Sequence, residues 1–521
     1  MKKILKGALI LLLCAMFFAA CGTTEKSATT DGAKEEKVAK SDKQAAKEKQ
    51  KADKQKAKEK KKAGKSKEAK SGNYLVPINE AVATGEFEEA YTLISQEDNK
   101  NYLGSDDIYN MDAGMIKLYG NDNPAAVSHL GPVANMDKLN EKYAGADKIV
   151  LSTFFADEYS QPYETYDYED IYAIIFDAVA KLDDPATADA AFQDLKNIRE
   201  MLLAMDQYNK TLSAKIDGAG KLDEETAKTL PQPANYVYHN SALANYLALI
   251  YNKYNDRDGD QRGYFYAEME KAYAQDSYIE QTMPASIAIE KDNVPSGKAR
   301  LNVLALMGLM AEKREHGQEA KTPLGLITSQ LLENDQIKNA NLDISSITNK
   351  LAPFTNSTIR SVYTELVDRT TLQGPCTVTI NGTDYKLETI ENTSKIAKKC
   401  IERKQSIAAR RSVFRTTLKS IPLFAAYCVL QDPKTISNPI AKKTAEIGIE
   451  KAGDKIREAL MNDHADIRGA HYYPAEVQAC GIELDPGTYE VAVKFPGQEP
   501  ITKSVEVKAG ELNLLTVECL K

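Results

Sequence analysis

The 521-residue chain has no tryptophan, only five histidines (His129, His239, His316, His464 and His471) and 7 cysteines. No HExxH, GxSxG, Walker A or glycine-rich dinucleotide phrase occurs in it, so the usual catalytic signatures are missing. With 28 glycines and 19 prolines the composition is neither collagen-like nor disulfide-dense. Beyond the first 21 residues there is no uninterrupted apolar run of the length a membrane span needs, about 18 residues, which excludes a polytopic membrane protein. What remains is 43% hydrophobic and 27% charged, enough for a folded body and a length of roughly two to four domains.

The opening residues read as an address. Lys2, Lys3 and Lys6 precede an apolar run, Ala8–Phe18, and small residues, Ala19-Ala20, precede Cys21. That is the layout of a secretory leader, here residues 1–20. Phe18-Ala19-Ala20-Cys21-Gly22 resembles the bacterial lipobox, apart from Phe18 at a position usually held by leucine. The resemblance implies that Cys21 becomes an acylated N-terminus, and Gly22 in place of aspartate implies the outer membrane. More than one acyl chain is needed for durable anchoring. Residues 22–71 then carry 17 Lys against 9 Asp and Glu, with Val38 as their sole branched apolar residue. Such a stretch cannot bury enough surface to offset the entropy of ordering, so 21–72 is expected to be a solvated tether. The leader's +3 and the tether's +8, removed from a total of −8, leave −19 on residues 72–521. An acidic body argues against nucleic acid as a partner.

The body divides by periodicity into three expected regions, giving an α+β protein that is mainly α. Residues 73–290 show helical spacing. Ile78, Ala81 and Val82, then Phe87, Ala90, Tyr91 and Ile94, lie on single stripes either side of Gly85, and the phrase Ala83–Ala90 is like the turn of a tetratricopeptide repeat. Tyr168–Ile175 with Ala188–Phe192, and Ser241–Ile250 with Tyr264–Tyr273, repeat the theme of an Ala- and Tyr-rich helix pair. An ordinary helical bundle fits the irregular spacing as an alternative. Residues 291–465 are mixed α/β. Leu301–Met310 is a buried strand or helix, Ile359–Val367 alternates in part, and Cys376–Leu387 is a hairpin (376–388) turned by Asn381-Gly382. Glu391–Val429 reads as helix until Pro422, Ile440–Met461 as a second helix, and the apolar Ile421–Leu430 as core. Residues 466–521 alternate as short strands, which suggests a small β-sandwich.

In this order, the lipobox, the Tyr/Ala helix pairs, the mixed segment and the phrases Ala465-Asp466-Ile467-Arg468-Gly469 and Leu484-Asp485-Pro486-Gly487-Thr488-Tyr489 resemble a family of uncharacterised bacterial lipoproteins with tetratricopeptide-like helices and a small C-terminal β-domain. The resemblance implies an envelope location and tilts Leu301–Leu309 toward a strand. It assigns no reaction.

Candidate sites are few. Asp256, Asp258 and Asp260 alternate as in calcium loops, but Gln261 stands where a glycine is needed and Ala267 where a bidentate Glu belongs, so an acidic inter-helix loop is preferred and no metal is assigned. His464 and His471 lie near Asp463 and Asp466 without a visible third ligand. Of the five cysteines beyond Cys21, a Cys480–Cys519 disulfide is one reading and buried reduced thiols the preferred one. Tyr159, Tyr163, Tyr166, Tyr168 and Tyr172, within an acidic stretch, are either a partner-recognition surface or a packing seam. The expected function is a lipid-anchored, cofactor-free envelope scaffold binding a protein partner through its helices. The alternative is a cell-wall or carbohydrate binder, or a hydrolase, with its site in the mixed and β regions.

Overall fold

A computed structural model describes residues 74–145, 161–219, 222–234, 237–238, 240–255, 260–275, 283–431 and 439–521. The leader, the tether, Cys21, Tyr159, Asp256 and Asp258 lie outside them.

Helices build the first half of the body: α1 (Leu75–Thr84), α2 (Phe87–Ile94), α3 (Glu97–Leu103), α4 (Asp106–Tyr119), α5 (Asn123–Leu130), α6 (Met136–Ala144), α7 (Asp167–Leu182), α8 (Pro185–Ala219), α9 (Glu224–Thr229), α10 (Ala242–Asn255), α11 (Asp260–Gln275) and α12 (Ala285–Ala288). The turn at Gly85 forms as its sequence suggests. Gly85 has φ +83°, and the N–H groups of Gly85 and Glu86 close back on Val82 and Ala81. Helices adjacent in sequence pack as pairs, α1 on α2, α4 on α5, α7 on α8 and α10 on α11, and α5 and α8 extend the stack through α7.

Strands follow: β1 (Ala299–Leu309), β2 (Glu312–Lys321), then after α13 (Leu324–Glu333), α14 (Asp335–Asn339) and α15 (Ile344–Leu351), β3 (Thr358–Val367), β4 (Thr377–Ile380), β5 (Thr383–Lys386) and β6 (Glu388–Glu391). Two long helices, α16 (Thr393–Leu430) and α17 (Pro439–Met461), precede β7 (Pro474–Leu484), β8 (Gly487–Lys494), β9 (Ile501–Val507) and β10 (Asn513–Cys519). The hairpin is made by β4 and β5, and Asn381 (φ 51°) and Gly382 (φ 78°) supply the two left-handed residues of its turn.

The C-terminal strands stand where their alternation puts them, but they pair outside their own segment. One sheet runs β10-β1-β7-β6 with β1 and β10 parallel, and another runs β5-β4-β8-β9. Val303, Ala305, Ile482 and Val517 of the first sheet share a core with Val378, Val491, Val493 and Val507 of the second. The opposite face of the first sheet, through Leu304, Leu306, Val477 and Ile390, joins the helical core. A strand covered on both faces needs apolar residues on both, which explains why 301–307 is apolar apart from Asn302.

The helix expected to stop at Pro422 continues through it to Leu430. The proline removes one backbone donor, but Ile421, Phe424, Ala425 and Cys428 are anchored in the core shared with β3 and α17, and that packing holds the turn. Among the described residues α16 is the one helix long and apolar enough to cross a membrane, and most of its apolar window is buried.

Cys480 and Cys519 do not form a disulfide. They sit on β7 and β10, which flank β1 on opposite sides, opposite Val303 and Met307 respectively. Two strand spacings of about 10 Å across the sheet, and a four-residue offset of about 13 Å along it, hold them well beyond the roughly 7 Å between Cα atoms that a disulfide tolerates. Burial pushes the thiols of Cys376 and Cys480 up to about 12, so these are inert core residues.

Glu518 on β10 is mostly buried, and burial raises its carboxyl to about 7, with Lys503 opposing. An acid whose folded value lies above its unfolded value carries no penalty below about pH 4.5. It loses stability as pH rises toward 7 and carries the full penalty above that. Glu518→Gln is therefore expected to stabilise the fold by on the order of 2 kcal/mol at pH 8, discounted for partial exposure, and to match the parent at pH 4. Urea midpoints at the two pH values check this, and an equal effect at both would contradict it.

Candidate functional site

The first turn of α7 carries three buried acids, Asp167, Glu169 and Asp170. A helix N-terminus favours carboxylates, but full burial still demands countercharge. The fold brings one lysine to each acid from three distant elements. Lys404 on α16 meets Asp167 at 2.8 Å, Lys313 on β2 meets Glu169 at 2.8 Å, and Lys142 on α6 meets Asp170 at 2.6 Å. Burial works against ionised Asp167 and Glu169, yet Lys404 and Lys313 outweigh it and hold both carboxyls below the usual range. Burial likewise presses Lys313 below the ordinary lysine range, with Glu169 pulling the other way.

Tyrosines complete this cluster. Tyr163 donates to Glu169 at 2.5 Å, and Tyr143 donates to Asp170 at 2.5 Å. The Lys313 ammonium donates to the Tyr163 hydroxyl at 2.8 Å and to the Arg468 carbonyl at 3.0 Å, and it sits 3.9 Å from the centre of the Tyr166 ring. Gly469 lies against the pair. A Cβ there would come within 2.5 Å of Lys313 Nζ and 2.8 Å of Glu169 Oε1, so any larger residue would have to push the ends of this buried pair aside.

Gly469 belongs to an irregular strap, residues 462–473, which contains the expected boundary at 465/466. Asp463 takes a bidentate contact from Arg415 on α16 (2.9 and 2.6 Å), the Ala470 N–H reaches Glu169 (3.1 Å), and the His471 N–H and ring reach Asp112 on α4 (2.6 and 2.7 Å). Tyr119 donates to the Tyr472 carbonyl at 2.6 Å. The strap thus ties α4, α7 and α16 together through its backbone and the side chains of Asp463 and His471.

Beside the cluster opens a cavity of about 710 Å³. Lys142, Tyr143, Gly145, Tyr163, Glu164, Thr165, Tyr166 and Asp167 form one wall. Tyr208, Tyr363, Thr364, Lys404, Ile407, Ala408, Arg411 and Asp466 form much of the other. Five tyrosines therefore face one space.

Tyr163 and Tyr166 line the cavity, Tyr163 also being buried in the helical core; Tyr168 and Tyr172 are buried in that core too, and Tyr172 donates to Glu391 at 3.0 Å. Asp260 begins α11, and the other two members of the acidic triplet are not described. No group of three or more metal-ligating side chains occurs among the described residues. His464 contacts Glu315 at 3.2 Å and His471 contacts Asp112, so the two histidines serve different neighbours. Lys313, Lys404 and Glu169 are not among the candidate residues read from the sequence, and Gly469 stands there only within the phrase Ala465–Gly469. The alternation of acid and tyrosine from 163 to 172 was the available signal.

Comparison with protein-family models, with curated proteins and with solved structures finds no match to this chain.

Proposed function

We propose that this chain is a lipid-anchored binding protein of the bacterial cell envelope, acylated at Cys21, spaced from the membrane by residues 21–72, and binding its partner through the folded body. The observation that supports the binding role is the tyrosine-lined cavity between α6, α7, α8 and α16, whose volume of about 710 Å³ falls within the roughly 300–1,000 Å³ typical of ligand sites. The stacked helix pairs support the reading of a protein partner; the cavity favours the alternative of a smaller polar ligand. No reaction is proposed. For the anchor, intact-mass measurement of membrane-extracted protein is expected to show the leader removed and acyl chains added, and Cys21→Ser to release the protein from the membrane fraction. An unacylated mature chain, or a Cys21→Ser variant that stays in the membrane fraction, would remove the location from the proposal.

A further inference from the structure

We infer that the cavity takes the carboxyl-terminal end of a short peptide, its carboxylate on the α16 wall and its N–H groups toward the acids at the mouth. This rests on the binding role proposed above and names the ligand class for the same site. The inference comes from which hydrogen-bonding groups of the lining the fold has left unspent. Lys142 uses all three ammonium protons, on the Thr165 carbonyl (2.7 Å), the Thr165 hydroxyl (2.8 Å) and Asp170 (2.6 Å). Asp167 accepts from Lys404, Tyr143 and Asn209, and Asp466 takes the Arg468 guanidinium at 2.6 Å. Lys404 differs. Its side chain is only 20% exposed, yet among the described residues its ammonium has one hydrogen-bond partner, Asp167 at 2.8 Å, and a 5.3 Å contact with the Tyr166 ring. Two of its three protons are left without a protein acceptor. Lys404, Ile407, Ala408 and Arg411 follow the i, i+3, i+4, i+7 spacing of one helix stripe, and all four line the cavity. The α16 wall therefore presents two donor-only side chains with the small Ala408 between them.

The mouth has the opposite character. Glu141 and Glu164 are both exposed. Glu141 has no hydrogen bond or ion pair among the described residues, and Glu164 has one hydrogen bond, from the neutral Tyr208 hydroxyl at 3.1 Å. A bare anion would serve the α16 wall but set a like charge near Glu164, and a polyamine would serve the acids but face Lys404 and Arg411. A peptide end carries both complements side by side. Its carboxylate accepts charge-assisted hydrogen bonds from an ammonium and a guanidinium fork, and the N–H groups next to it donate to carboxylates. At about 710 Å³ the cavity is of the size that encloses a drug-sized ligand, larger than a single amino acid.

Two positions on the lining allow a test without touching the ion pairs. Ala408 is half-buried at the wall. Gly145, at the end of α6, has nothing within 4 Å of a Cβ built on it and has φ −84°, so a large side chain fits there without strain. Because the chain has no tryptophan, Ala408→Trp or Gly145→Trp also installs a single indole reporter.

The full chain is immobilised and offered an equimolar tetrapeptide library with free carboxyl termini, and retained peptides are sequenced by mass spectrometry. The best retained sequence is titrated calorimetrically as the free acid and as the carboxamide, alongside its last amino acid alone, inorganic phosphate and spermidine. The expected result is a peptide that binds as the free acid and about tenfold or more weaker as the carboxamide. Each variant should weaken the free acid about tenfold or more at unchanged melting temperature, with indole emission responding to peptide. If Ala408→Trp fails to fold, Gly145→Trp carries the comparison. No retained peptide, equal binding of acid and carboxamide, equal binding of the last amino acid alone, or peptide binding that both variants keep in full would each overturn the inference. Binding of phosphate or spermidine alone, blocked by the variants, would overturn the ligand class while leaving the cavity as the binding site.

Discussion

Lys313→Met is expected to destabilise the body by about 3–5 kcal/mol, because it leaves Glu169 charged, fully buried and without its counterion. Glu169 would keep the Tyr163 hydroxyl, the Tyr166 N–H at 2.8 Å and the Ala470 N–H as donors, which explains why the loss is not larger. Glu169→Gln alone is expected to be costly as well, since the Lys313 ammonium would remain buried with the Tyr163 hydroxyl, the Arg468 carbonyl and the ring of Tyr166 as its remaining partners. The double variant is expected to recover much of the loss, because a neutral amide beside a thioether carries no uncompensated charge. Urea unfolding of the parent, both singles and the double decides the matter. A double-variant loss equal to the sum of the singles, within about 0.5 kcal/mol, would show that the two side chains do not act as a unit.

That pair also marks where sequence reasoning ends. The helix pairs, the Asn381-Gly382 hairpin and the C-terminal strands were legible because each depends on local pattern: periodicity, composition or the φ angles a turn demands. Strand β2, Glu312–Lys321, was invisible. Its sequence is almost wholly polar, and its partly exposed faces gave no apolar alternation to read. It exists because β3 pairs with it along its whole length and because Arg360 meets Glu315 at 2.6 Å across the ladder. The parallel pairing of β1 with β10 joins residues more than 200 positions apart, which no local pattern encodes. The cavity was out of reach for the same reason. Its tyrosines stood in plain view, but the lysines that neutralise the neighbouring acids come from α6, β2 and α16, and only the fold assembles them. An acidic, tyrosine-rich stretch read alone looks like an exposed surface, whereas folded it is largely an internal ion-pair frame with one open side.

Glu391→Ala is expected to cost about 3–5 kcal/mol, by a different route. Glu391 ends β6, is fully buried, and accepts four hydrogen bonds: from Tyr172 (3.0 Å), Tyr238 (2.9 Å), Ser241 (2.8 Å) and the Leu243 N–H (3.1 Å). These donors belong to α7, to the segment before α10 and to the first turn of α10, so one carboxylate joins the first sheet to two helices. Alanine would leave all four donors buried without an acceptor, and each such loss costs about 1–3 kcal/mol before the site relaxes. Glu391→Gln retains one acceptor oxygen and is expected to lose less, about 1–2 kcal/mol. The pH dependence separates the forces at work. Burial raises the carboxyl above its ordinary value, and the four donors oppose it without overcoming it. With the folded value raised, the parent is free of penalty below about pH 4.5 and loses stability as pH climbs through the folded value, while the glutamine variant does not titrate there. The gap between parent and Glu391→Gln should therefore narrow from pH 4 to pH 8. A gap that widens would mean that the donors outweigh burial and that the carboxylate is held ionised, with its titration displaced below the ordinary range.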